Sequence, residues 1–127
     1  MSGSATFAPS AEAAPLAVAQ ARRWYWQRIS AMVLALCVLV HLVVIVYAVR
    51  GGLSAAEILA RTRGHWGWAA FYSLFVVAAA VHVPIGLATI GREWCGLGER
   101  SALWIARAIG LALLVLGLRS VYGVVVP

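Results

Sequence analysis

The chain has 127 residues, 64% of them hydrophobic and only 11% charged. Soluble domains average about 45–50% apolar and about 25% charged residues, so this chain has too little charge to cover a water-facing surface. Its length allows one compact domain, and its composition excludes a soluble enzyme and a disordered protein, leaving a small integral membrane protein. The formal charge is +6, and every basic residue is an arginine. The arginines are dispersed rather than gathered on one wet face, which sets nucleic acid aside as a partner and points to anchoring at lipid headgroups.

Residues 1–21 (MSGSATFAPSAEAAPLAVAQA) are rich in Ala, Ser and Pro and show no periodic apolar face. They are expected to form a flexible N-terminal tail. A secretory signal would place basic residues before an apolar stretch, whereas here Arg22 and Arg23 follow the small-residue tract. Residues 22–127 are expected to form a membrane-anchor domain with three spans, at about 29–49, 66–90 and 102–126. The first two contain no charge. The third holds Arg107 and Arg119, each close enough to an end to snorkel to the interface. About 20 apolar residues cross the hydrocarbon core, and at that length only helices satisfy their own backbone in lipid. The expected fold class is therefore all-α, with three transmembrane helices in a lipid bilayer.

Between the first two spans, GGLSAAEILARTRGH has Leu53, Ile58 and Leu59 as apolar positions and Glu57, Arg61 and Arg63 as polar ones. It is expected to form a short amphipathic helix on the membrane surface. Arg22, Arg23, Arg28, Arg92 and Arg100, with Arg107 nearby, fall on the side of the N-terminus. Arg50, Arg61 and Arg63, with Arg119 nearby, fall on the other. The positive-inside rule then puts the N-terminus in the cytoplasm. Trp24, Tyr25, Trp26, Trp66, Trp68, Trp94 and Trp104 mark the segment ends as an aromatic belt. Cys37 and Cys95 form no framework and read as ordinary small residues.

Two histidines, His41 and His82, fall inside spans. An imidazole in hydrocarbon must find a partner, and two readings are open for each: a hydrogen bond that packs the bundle, or axial ligation of haem iron. His65, beside Trp66, reads as a surface or anchoring residue. Measured from span midpoints at ~1.5 Å per residue, His41 and His82 differ in depth by roughly 9 Å; measured from Arg28 and Arg92 the difference is about 4–5 Å. A single iron clamped by both is not favoured by the larger figure. The run WYWQRIS (residues 24–30) supplies Arg28, Ser30 and Trp24 where the first span enters the membrane. It reads either as a plain interfacial anchor or as a quinone pocket, which needs donors for carbonyl oxygens, aromatic walls and an apolar slot.

These residues resemble the cytochrome b membrane-anchor subunits of succinate dehydrogenases and fumarate reductases. The family opens its first helix with Arg-x-Ser, here Arg28-Ile29-Ser30. Its second helix carries a histidine with glycine four positions on and then an acidic residue, here His82, Gly86 and Glu93. The resemblance covers about residues 24–126. Where the family often has histidine and glycine flanking Arg-x-Ser, this chain has Gln27 and Ala31. The family's arginine shortly after the glycine is replaced by Ala88. The resemblance implies that His82 ligates haem b and that Arg28, Ser30 and Trp24 line a quinone site. His41, within Val40–Val44, resembles the first-helix ligand of the larger two-haem anchors.

The function implied is electron transfer between a peripheral iron–sulfur subunit, itself joined to a flavoprotein subunit, and membrane quinone. A second anchor chain or a second copy of this one would complete the haem sites. No flavin fingerprint or cysteine cluster is present, so no catalytic residue is assigned and substrate oxidation belongs to the partners. The alternative is a cofactor-free structural transmembrane subunit of a larger bioenergetic assembly.

Overall fold

The computed structural model describes residues 13–127. They form four helices and no strand: α1 (Ala13–Arg50), α2 (Ala55–Thr62), α3 (Trp66–Glu93) and α4 (Glu99–Val125). α1, α3 and α4 are long and apolar enough to cross a membrane, as the composition requires. The first helix begins well before the expected span. Residues 13–21, expected as part of a tail, are helical; residues 1–12 of that tail lie outside the described residues. Alanine has the highest helix propensity, and Pro15 falls in the first turn, where its missing N–H costs nothing.

Helix α3 is central, with α4 packed along one side of it and α1 along another. The α3–α4 seam is built from small residues. Ala102, Ala106 and Gly110 recur at four-residue intervals on α4 and are buried; they face Pro84, Ala88 and Gly91 of α3. In a bilayer, helices gain little from apolar burial alone, so close backbone approach through small residues drives their association. At Gly110, a Cβ would lie 2.4 Å from the Pro84 ring and 3.3 Å from the Ala80 carbonyl oxygen. That carbonyl is the one that loses its helical donor to Pro84. Gly117 plays the same part lower down, where a Cβ would meet Val76 at 2.6 Å.

On α1 the positions Gln27, Ser30, Leu34, Cys37, His41, Val44 and Ala48 are buried or half-buried and alternate three and four apart, with half-buried Ala31 and Val33 beside them. This is the seam spacing of a left-handed helix pair. It carries Ser30 and His41, while Tyr47 is the polar side chain on the exposed, otherwise apolar face.

The expected surface helix is present as α2, closed at its start by a capping box in which Ser54 and Glu57 hydrogen-bond reciprocally. These bonds hold the Glu57 carboxyl below the usual glutamate range. At its other end the Thr62 hydroxyl donates to the Val124 carbonyl at 2.9 Å, and the Gly64 N–H donates to the Val125 carbonyl at 2.8 Å. The α2 segment is thereby pinned to the end of α4.

The α3–α4 seam yields a prediction with a definite sign. Gly→Ala in an exposed helix interior stabilises by about 0.5–1 kcal/mol through propensity. Gly110→Ala is expected to destabilise by about 1–3 kcal/mol instead, because the new methyl overpacks the Pro84 contact. Gly123→Ala, with open space around its Cβ, is expected to be neutral or stabilising. Thermal unfolding of both variants in detergent checks the contrast.

Candidate functional site

The α1 seam brings Ser30 and His82 together: Ser30 Oγ lies 3.2 Å from His82 Nδ1. Ser30 is only 5% exposed. Its hydroxyl has one proton, and Oγ also lies 2.7 Å from the Trp26 carbonyl oxygen and 3.1 Å from that of Gln27. With the hydroxyl proton directed to the shortest contact, the Trp26 carbonyl, Oγ is the acceptor for a His82 Nδ1–H. This assignment leaves the lone pair of His82 on Nε2. A histidine that ligates a metal commonly has this form, with one ring nitrogen donating to a neighbour and the other free to bind.

Gly86 lies one turn beyond His82, and a Cβ there would sit 3.5 Å from Gln27 Nε2. The Gln27 side chain thus lies against α3 at this level, at ordinary contact distance. Gln27 Oε1 is buried and has no hydrogen-bond partner among the described residues. The two motifs separated by about half the chain thus meet at one level of the bundle.

His41 stands at another level. Its ring meets Tyr72 and Phe75 edge-on, each at 5.9 Å between centroids, and its Nδ1 is buried without a hydrogen-bond partner among the described residues. Along α1, Ser30 and His41 are separated by ~16 Å at ~1.5 Å per residue. Along α3, Tyr72 and His82 are separated by ~15 Å at the same rise. The depth offset between the two histidines is therefore larger than the span midpoints indicate. The Ser30–His82 contact sets the register of α1 on α3, and α1 begins far upstream of the point assumed for its midpoint. Two axial nitrogens on one iron lie ~2 Å from it on either side. His41 and His82 of one chain do not share an iron.

Arg28, Ser30 and Trp24, expected around one pocket, are divided. Ser30 turns into the seam. Arg28 and Trp24 are exposed, with the guanidinium 5.1 Å from the centre of the indole ring. Trp24 also edges a cleft of about 440 Å³ whose walls include Arg23, Gln27, Pro84, Ile85, Thr89 and Arg107. Arg23, Gln27 and Arg107 were not singled out from the sequence for this role. The available signal was that Gln27 shares the α1 seam with Ser30 and that Arg107 is a charge inside a span. His65 is exposed at the start of α3, in keeping with an interfacial position.

No group of three or more His, Cys, Asp or Glu side chains capable of holding a metal ion occurs among the described residues. A porphyrin iron makes a smaller demand, one imidazole on each side, and His82 with its free Nε2 meets half of it. The donor set fits a haem whose other ligand comes from elsewhere. No known protein family, curated protein or solved structure matches the chain, so the functional reading rests on these side chains.

The tautomer of His82 is open to test. In selectively labelled protein free of added cofactor, the ¹⁵N shifts of His82 are expected to show a protonated Nδ1 and a bare Nε2. Ser30→Ala removes the acceptor, and the ring is expected to relax toward a mixture of tautomers. An unchanged spectrum in that variant would mean that the hydroxyl does not orient the ring.

Proposed function

We propose that the chain is the cytochrome b membrane anchor of a respiratory complex of the succinate dehydrogenase and fumarate reductase type. In this reading it sits in a bacterial cytoplasmic membrane with its N-terminus inside. It joins an iron–sulfur subunit and its flavoprotein to membrane quinone. The observation that carries the reading is the Ser30–His82 contact, which unites the two motifs of the resemblance and supports Nε2 as the ligating atom. Bound haem b supplies one-electron redox chemistry inside the hydrocarbon, where side chains alone offer none. The chain's own part is to hold His82 by its Nδ1 through Ser30 and to exclude water with the apolar helices around it.

At the His82 level a second anchor chain or a second copy of this one would supply the other ligand. His41 would hold a second haem at its own level. Its buried Nδ1 and its place between two aromatic rings of α3 support a ring held within the bundle rather than one facing lipid. Arg28 and Trp24, exposed at the mouth of α1, are the quinone-facing pair. Ser30 contributes through its contact with His82.

His82→Ala is expected to lower haem per chain at least tenfold, with helicity by circular dichroism unchanged. Wild-type haem content in that variant overturns the assignment. In the same preparations, redox titration of His41→Ala is expected to lose one of two potentials. A single unaltered transition in wild type and variant makes His41 a packing residue.

Arg28→Leu addresses the quinone site. The complex is expected to show a quinone KM raised about tenfold, the scale of one lost charge-assisted contact, while artificial dyes still react with the peripheral subunits. Unchanged quinone kinetics would reduce Arg28 to an interfacial anchor.

A further inference from the structure

The cleft beside Trp24 has chemistry that the haem and quinone assignments do not use. Its walls come from three helices. Arg23 and Gln27 stand on α1, Pro84, Ile85, Ala88 and Thr89 on α3, and Leu103, Ala106 and Arg107 on α4. Arginines from two different helices thus border one apolar slot. Neither forms a salt bridge among the described residues, where the one ion pair within 4 Å joins Arg92 to Glu99. Arg107 lies ~12 Å along α4 from Glu99 at ~1.5 Å per residue. Its Cα therefore stands two turns inside an apolar helix long enough to span a membrane, where an uncompensated guanidinium is costly.

A ligand that relieves this cost carries an anionic oxygen cluster and an apolar tail. Guanidinium groups match phosphate bidentately, and two of them flanking one slot bind a phosphodiester far better than a neutral ring. The apolar wall of Pro84, Ile85, Ala88, Leu103 and Ala106 lies beside the two arginines, with Pro84 and Ile85 deepest, and suits the upper part of an acyl chain. We propose that this cleft is a binding site for an anionic phospholipid, of which phosphatidylglycerol is a simple example. The phosphate lies between Arg23 and Arg107, and one acyl chain lies along α3 and α4. The lipid also fills the gap between α1 and α4, which meet each other little.

The test uses the full chain in nanodiscs of equal phosphatidylglycerol and phosphatidylcholine, followed by native mass spectrometry after transfer to detergent. Wild type is expected to retain phosphatidylglycerol in preference to phosphatidylcholine. Arg23→Gln with Arg107→Gln is expected to lower that retention at least tenfold. Arg119→Gln, a charge in the same helix that does not border the cleft, is expected to leave it unchanged. Leu103→Trp keeps both arginines and narrows the apolar wall; it is expected to reduce retention as well, giving a second reading if the double variant folds poorly. Equal retention of the two lipids overturns the proposal, as does retention that survives both the double variant and Leu103→Trp. Displacement of the lipid by millimolar inorganic phosphate would identify a phosphate site instead. Displacement by a neutral short-chain quinone at matching concentration would identify a quinone site. Either result overturns the assignment to lipid.

Discussion

A polar side chain surrounded by hydrocarbon has to find its hydrogen-bond partner within the protein, and the arrangement of this bundle follows from that demand. The spanning part of α1 directs Gln27, Ser30 and His41 onto one seam, leaving Val, Leu and Ile for the lipid. The meeting of Ser30 with His82 then fixes how far α1 slides along α3. Once that register is set, His41 falls beside Tyr72 and Phe75, and Gln27 falls over Gly86. The other side of α3 has one polar side-chain contact with α4 among the described residues, the Arg92–Glu99 pair at 3.8 Å at the helix ends. It uses Pro84 in the hollow of Gly110 to bring α4 close. One helix thus serves two neighbours by different physics, hydrogen bonding on one side and small-residue packing on the other.

The number and places of the spans were legible because hydropathy over about 20 residues is a strong signal and the bilayer permits few alternatives. The α2 helix was legible as well, since Ser54 and Glu57 have capping-box spacing ahead of Ile58 and Leu59. The start of α1 was not. An Ala-rich stretch without an apolar stripe has helix propensity but no periodicity, and attachment to an adjoining long helix removes the cost of nucleation.

Of the candidate site, the residue types were readable and the partnerships were not. His82 and Ser30 each stood out, yet nothing in their separate neighbourhoods said that they touch. Arg28 and Ser30, two positions apart, cannot share a helix face, which is why one stacks on Trp24 at the surface and the other is buried. Depth was misjudged for a related reason. Midpoints estimated from apolar runs ignore register, and register here depends on one side-chain pair. Arg107 read as a snorkelling charge; its place on a cleft with Arg23 depended on how α1 and α4 converge around α3.

The proposed function turns on one atom, His82 Nε2, left basic by the hydrogen bond that occupies Nδ1. In electron transfer its task is positional: it holds iron at a fixed level while apolar helices keep water away. The most direct measurement is the visible spectrum of the wild-type protein, purified from its own membrane with its associated chains. The account predicts a Soret band and, on reduction, a sharp α band, in a ratio of at least one haem for every two copies of the chain. A folded, fully helical preparation with neither band would contradict it and leave a cofactor-free structural subunit.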